Sequence, residues 1–104
     1  MRYTNKKHLL WLAEKPCILQ SYTKGFCSND IQVHHLLKPL YSKRGMGLRA
    51  GDKDCVPLCV RCHRKLHLKG NEFKFFQEIT ELEDYGQLKA EYFWVTSPYN
   101  NEEF

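Results

Sequence analysis

Apolar residues recur with helical spacing near the start of the chain. Leu9, Leu12 and Ala13 form one apolar stripe, and Pro16 follows it closely. Because proline cannot continue a helix, the pattern predicts a first helix over residues 5–14.

Two short segments in the middle of the chain have the patterning of strands. Residues 31–34 alternate between apolar and polar, and residues 55–58 are mainly apolar. Pro57 places the second segment at a sheet edge or a strand end. A helix then fits residues 60–69, and Gly70 is a natural stop.

The last third of the chain predicts two more helices. Residues 72–83 carry four apolar residues on one face: Phe75, Phe76, Ile79 and Leu82. Asp84 and Gln87 resemble a capping box for a final helix, whose apolar stripe comprises Leu88, Tyr92 and Val95. With no linker between these elements, we expect one α+β domain over residues 1–104, with an N-terminal helix and C-terminal helices.

Composition and charge narrow the function classes. The chain has 104 residues, 42% of them hydrophobic, and no apolar run approaches the roughly 20 residues of a membrane span. Residues 1–70 carry 14 Lys and Arg against 4 Asp and Glu, a net +10, whereas residues 71–104 carry 2 against 8, a net −6. The basic part favours a polyanionic partner, most simply DNA.

Five cysteines without a recognisable export signal favour metal binding over disulfides. We therefore expect the protein in the cytoplasm. A core this small also gains from a metal staple.

The histidines have the spacing of a metal site. His63 and His67 are four residues apart, so on a helix they share one face and can share one ion. His34 and His35 lie on a predicted strand, where neighbouring side chains point to opposite faces. One of that pair can therefore join the ion, and three imidazoles would leave the open position that is typical of catalytic sites.

These residues resemble the HNH, or ββα-metal (His-Me finger), nuclease motif, which would cover about residues 31–69. The segment Ile31 to Leu36 is followed by Asp54 to Cys59, then by Cys62, His63 and His67, with the spacing of that motif. More narrowly, Arg44 to Arg49 and Trp94 make the chain similar to phage and prophage HNH proteins, a group that includes the phage recombination-enhancement nuclease.

The resemblance implies a role for each matching residue. His34, His63 and His67 match the ligands of the catalytic ion, and His35 matches the general base. Asp54 stands where the family usually has asparagine. Its carboxylate would either orient His35 or become a fourth ligand, and an oxygen ligand favours Mg²⁺ or Mn²⁺.

The function implied is that of a metal-dependent endonuclease that hydrolyses DNA phosphodiester bonds with low sequence specificity. An unligated imidazole can activate water, and a single Mg²⁺, Mn²⁺ or Zn²⁺ stabilises the developing charge. The resemblance to phage proteins implies that the protein acts in the cytoplasm of a bacterial host. It also implies that a phage or host recombination or packaging protein could be its partner. Eight cations are expected to contact phosphates: Lys38, Lys43, Arg44, Arg49, Lys53, Arg61, Arg64 and Lys65.

Many HNH proteins pair a CxxC sequence with upstream cysteines to hold a structural Zn²⁺. The corresponding set here is Cys17, Cys27, Cys59 and Cys62. Thiolates bind Zn²⁺ tightly, so these four are the candidate ligands. Cys55 has no partner in this scheme and is expected to be a buried apolar residue.

Two other function classes compete with the nuclease. A non-catalytic, zinc-stabilised DNA-binding module predicts the same charge and fold but has no use for an open three-histidine site. A c-type haem protein is suggested by Cys59, Cys62 and His63, which match CxxCH. Haem attachment normally requires export, and it leaves the other histidines unexplained.

Overall fold

The described residues form one helix, then two strands, then three helices. The computed structural model describes residues 4–23, 25–37 and 51–100. In chain order the elements are α1 (Lys6–Leu12), β1 (Ile31–His35), β2 (Cys55–Cys59), α2 (Val60–Lys69), α3 (Glu72–Thr80) and α4 (Tyr85–Thr96). The predicted α+β class is therefore confirmed. None of the helices in the described ranges is long and apolar enough to cross a membrane.

Within the described residues, β1 and β2 form a two-stranded antiparallel sheet. Val33 pairs with Pro57, and His35 pairs with Cys55. The proline is tolerated because both strands of such a sheet are edge strands, where a missing N–H need not break the ladder. Its carbonyl accepts a hydrogen bond from the Ile18 amide at 3.1 Å, which ties the segment after α1 to β2.

Helix α2 follows β2 without a connecting loop. Cys59 ends the strand and also caps the helix, since its Sγ accepts a hydrogen bond from the Cys62 amide at 3.3 Å. Gly70 ends the helix in the left-handed region at φ 74°, which glycine adopts without strain. The predicted bounds of residues 60–69 are confirmed.

Helix α3 is shorter than the predicted 72–83. It stops at Thr80, whose hydroxyl donates to the Phe76 carbonyl at 2.8 Å, and Glu81 turns to φ 69°. Leu82 lies beyond the helix end and is exposed. Its predicted place on the apolar face is therefore wrong, whereas Phe75 is buried as expected.

Helix α4 presents the opposite face to the one its apolar stripe predicted. Asp84 occupies the N-cap position but makes no side-chain capping bond. The expected core residues are 49%, 57% and 61% exposed: Leu88, Tyr92 and Val95. Gly86, Ala90 and Trp94 face inward instead. A Cβ on residue 86 would lie 2.8 Å from the Phe76 ring, so the absence of a side chain brings α4 close to the core.

The buried core joins the sheet, the helices and the segment after α1. It includes three of the cysteines expected to bind zinc, Cys17, Cys59 and Cys62. Large apolar side chains surround them: Leu19, Leu36, Leu58, Leu66, Phe75 and Phe76. The thiols are therefore part of the packed interior.

Candidate functional site

Strand β1 and helix α2 bring three histidines together. His34 lies on β1, and His63 and His67 lie one turn apart on α2. His34 Nδ1 is 3.2 Å from His63 Nε2, and His67 Nε2 is 3.1 Å from the same atom. We call these residues the histidine cluster. It contains the three residues expected to bind a catalytic ion.

The tautomer and the lowered pKa of His63 suit metal binding. Its Nδ1 donates a hydrogen bond to Gln32 Oε1 at 2.6 Å, so its Nε2 carries the lone pair that faces the other two imidazoles. Burial, together with repulsion from His34 and His67, lowers the pKa of His63 to about 4. The ring is therefore neutral at physiological pH, as a ligand must be.

The spacing of the histidine cluster fits one ion. Around a tetrahedral ion with N ligands at 2.0–2.1 Å, neighbouring nitrogens lie about 3.4 Å apart. Both short N···N distances in the cluster are close to that value. His67 is exposed while His34 is buried, so one side of the cluster is open to solvent. Three imidazoles here could hold a divalent ion and leave a position for another ligand.

A buried carboxylate that the sequence analysis missed stands behind His34. Glu72 Oε2 lies 3.5 Å from His34 Nε2, and the two side chains are 1% and 3% exposed. The same oxygen accepts the Leu37 amide at 2.6 Å. Among the described residues, His34 Nε2 and Glu72 Oε1 have no hydrogen-bond partner. Glu72 opens α3, where an acidic residue also stabilises a helix start, so nothing in the sequence distinguished it.

His35 faces a second buried carboxylate. Its Nε2 lies 2.8 Å from Asp52 Oδ1, and the side chains are 25% and 4% exposed. The other oxygen of Asp52 accepts the Asn5 amide at 2.7 Å, so the start of α1 fixes the carboxylate. With its Nε2 donating to Asp52, His35 keeps the lone pair of Nδ1 for another proton.

Asp54 was expected either to orient His35 or to become a fourth ligand, whereas His35 donates its hydrogen bond to Asp52. Asp54 is buried, and its backbone accepts the Leu36 amide at 2.9 Å and donates to the Gly51 carbonyl at 3.1 Å. A role for the Asp54 carboxylate stays a prediction. The two aspartates are two residues apart, and only the course of the loop decides which one reaches His35.

Four thiols form a second cluster in the core. The Sγ atoms of the cysteine cluster lie within 4.8 Å of one another, and its members are Cys17, Cys27, Cys59 and Cys62. Around a tetrahedral Zn²⁺ with S ligands at about 2.3 Å, neighbouring sulfurs lie about 3.8 Å apart. Cys27 and Cys62 are 3.6 Å apart. The four thiols could therefore hold one ion with no open position.

Hydrogen bonding within the cysteine cluster gives its thiols different pKa values. A hydrogen bond from Cys62 lowers the pKa of Cys17 to about 5. The same contact raises the pKa of Cys62. Cys17 is thus the first thiolate of the cysteine cluster.

Cys55 is buried, as expected, but it is not surrounded by apolar groups alone. Its Sγ, a ring nitrogen of His35 and a carboxylate oxygen of Asp52 lie within 4.8 Å of one another. The register explains the contact, since His35 and Cys55 are paired across the two strands.

Four of the eight predicted phosphate-binding cations lie in the described ranges. Arg61, Arg64 and Lys65 are exposed on α2, and Lys65 Nζ lies 4.9 Å above the Phe26 ring. Lys53 Nζ lies 5.4 Å from the Trp94 ring. The other four lie outside the described residues: Lys38, Lys43, Arg44 and Arg49.

One family model matches the chain, and it covers the parts that build both clusters. Its description is "Protein of unknown function (DUF968)", and it matches residues 1–80. Comparisons with curated proteins and with solved structures gave no match. The match spans both clusters together with Asp52 and Glu72, and it ends where α3 ends. The chain belongs to the DUF968 family.

Proposed function

We propose that the protein is a metal-dependent endonuclease of the HNH type, which hydrolyses DNA phosphodiester bonds. One observation carries the proposal. Two adjacent histidines serve two different groups, because His34 joins the open histidine cluster while His35 lies against the buried Asp52 carboxylate. In this proposal β1, β2 and α2 form the ββα-metal core.

His35 acts as the general base. Asp52 accepts a hydrogen bond from Nε2 and so fixes both the tautomer and the orientation of the ring, as a carboxylate does for the histidine of a catalytic triad. Nδ1 then accepts a proton from the attacking water. Because His35 is partly exposed and Asp52 is buried, water reaches the ring while the carboxylate stays fixed.

His34, His63 and His67 would hold the catalytic ion. Bound there, a divalent ion supplies positive charge next to the phosphate, where negative charge develops during hydrolysis. Nitrogen ligands favour Zn²⁺ over Mg²⁺. Gln32 orients His63, and Glu72 lies where it can orient His34.

The cysteine cluster would hold a structural Zn²⁺. Cys17 and Cys27 come from the irregular segments between α1 and β1, whereas Cys59 and Cys62 join β2 to α2. An ion between them would fasten these segments to the elements that carry the histidines. That staple suits a chain whose apolar core is small.

DNA would be bound through its phosphates. The basic residues 1–70 contain the whole histidine cluster, and the exposed cations of α2 lie on the same helix as His63 and His67. Such contacts carry little sequence information and weaken steeply with salt. We therefore expect low sequence specificity and salt-sensitive binding.

Conversion of supercoiled plasmid to nicked or linear DNA tests the proposal. The protein and its His35→Ala variant are compared with Mg²⁺, Mn²⁺, Zn²⁺ or chelator. We expect metal-dependent cleavage that the variant loses by roughly 10²–10⁴-fold, the usual contribution of a general base. Glu78→Ala is the control, since it removes an exposed ion pair with Lys69.

Equal cleavage by the protein and its His35→Ala variant would exclude His35 as the base. Salt-sensitive DNA binding without cleavage would favour the non-catalytic, zinc-stabilised module instead.

A further inference from the structure

Three different donor atoms meet beside the proposed general base. His35 and Cys55 face each other as a cross-strand pair, so their side chains lie on one face of the sheet. Asp52 approaches from the loop that leads into β2, and its carboxylate lies 2.8 Å from His35 Nε2. The three ligand atoms lie within 4.8 Å of one another.

The chemistry of these donors selects a class of ion. One imidazole nitrogen, one carboxylate oxygen and one thiol are ligands that Zn²⁺ and Co²⁺ accept together, whereas Mg²⁺ and Ca²⁺ prefer oxygen alone. Asp52 and Cys55 are buried, and His35 is partly exposed. An ion could therefore enter from the His35 side and be enclosed on the other.

We propose that His35, Asp52 and Cys55 form a second transition-metal site, whose occupancy by Zn²⁺ or a similar ion switches off cleavage. The ion binds His35 Nε2 in place of the proton that this atom donates to Asp52. That proton moves to Nδ1, and the Cys55 thiol releases its proton to solvent as it becomes a thiolate ligand. With Nδ1 protonated, the ring has no lone pair for the proton of the attacking water, and Asp52 becomes a ligand that no longer fixes the base. The inhibitory half of this inference rests on the proposed nuclease function, whereas metal binding by the three residues does not.

Cobalt absorption tests the site without any DNA. Protein carrying two equivalents of Zn²⁺ is titrated with Co²⁺, which binds thiolate sites more weakly than Zn²⁺ and leaves the cysteine cluster filled. Co²⁺ on the histidine cluster has no sulfur ligand. A thiolate-to-cobalt charge-transfer band in the near ultraviolet therefore reports Cys55 alone, because the other four of the five cysteines form the cysteine cluster.

We expect the band in the unmodified protein and its loss in Cys55→Ser. Asp52→Asn keeps the side-chain shape and the thiol, so it should keep the band but need at least roughly tenfold more Co²⁺. Circular dichroism checks that both variants are folded, and Asp52→Asn decides the matter if Cys55→Ser is not. No band in the unmodified protein, or an equal band in Cys55→Ser, would overturn the site.

Cleavage supplies the second readout. Zn²⁺ added to a Mg²⁺- or Mn²⁺-supported reaction should slow the unmodified protein. The Cys55→Ser variant, compared with its own rate before addition, should need at least roughly tenfold more Zn²⁺. Equal inhibition of both would overturn the switch while a cobalt band upholds the site. A protein that never cleaves DNA would refute the nuclease, and the band would still decide the site.

Discussion

The two clusters use different atoms and have different surroundings. The cysteine cluster lies in the packed core and has four donors. Three of its thiols are buried, and Cys27 is half-buried. The histidine cluster has three donors, one exposed ring and a buried carboxylate behind another ring. A closed four-thiol site is suited to holding chain segments together, whereas an open three-nitrogen site with orienting groups is suited to chemistry.

The largest effect is expected from opening the closed cluster. Cys62→Ser removes a ligand from the core, and a structural zinc contributes about 10–16 kcal/mol to folding, comparable with the whole stability of a domain. We expect loss of zinc and of the cooperative thermal transition, measured by elemental analysis and circular dichroism. Cys55→Ser is the control, because Cys55 is a buried thiol outside the cysteine cluster, and this variant should retain that zinc. A folded, zinc-free Cys62→Ser would contradict the structural role.

Opening the histidine cluster should instead affect cleavage and leave the fold intact. His67 is exposed, so His67→Ala should change the free energy of unfolding by no more than about 1 kcal/mol. Plasmid cleavage should fall by roughly 10²-fold or more, because the ion that stabilises charge loses a ligand. The exposed Leu68 on the same helix gives the control, Leu68→Ala. If His67→Ala lost both its fold and its cleavage activity, the histidine cluster would have a structural role like that of the cysteine cluster, and the prediction would be wrong.

A smaller effect is expected from the group behind the ligands. Glu72→Gln keeps the shape but removes the charge that faces His34 Nε2, and we expect 10–100-fold weaker binding of Co²⁺ to the histidine cluster. The visible absorption of bound Co²⁺ measures this change. Glu78→Gln is the matched control, since Glu78 lies exposed on the same helix and forms an ion pair with Lys69. Equal cobalt binding by both variants would deny Glu72 an orienting role.

The smallest expected effect is a pH dependence of stability that belongs to the histidine cluster alone. Burial lowers the pKa of His63 from 6.5 to about 4 in the folded chain. The unfolded state therefore binds more protons between these values, and stability falls as pH drops from about 6.5 towards 4. Urea unfolding of protein with an empty histidine cluster should show this fall, and His63→Gln should show less of it. An identical pH dependence in the variant would exclude His63 as its source.

The sequence predicted the elements whose signals are local. The sequence predicts both ends of helix α2, because a strand runs directly into it and Gly70 ends it. Spacing alone placed His63 and His67 on one helix face, and the resemblance to the HNH motif predicted the three histidines and the four cysteines as sets.

The elements that the sequence did not predict depend on distant contacts. Helix α4 turns its small residues inward because Gly86 lets it approach the Phe76 ring, which no periodicity of large apolar residues can show. The choice between Asp52 and Asp54 depends on a backbone bond from Asn5, about fifty residues away. Glu72 meets His34 only through the packing of α3 against the end of β1.

One stretch of five residues belongs to both clusters. Cys59 closes a strand, caps a helix and supplies a thiol, and Cys62 and His63 are neighbours that serve different clusters. A helix turns by about 100° per residue. One residue inserted between Cys62 and His63 would therefore rotate the His63 ring by that angle relative to the thiols. Within this stretch Val60 and Arg61 are open to substitution, but its length is fixed by the ligands on either side.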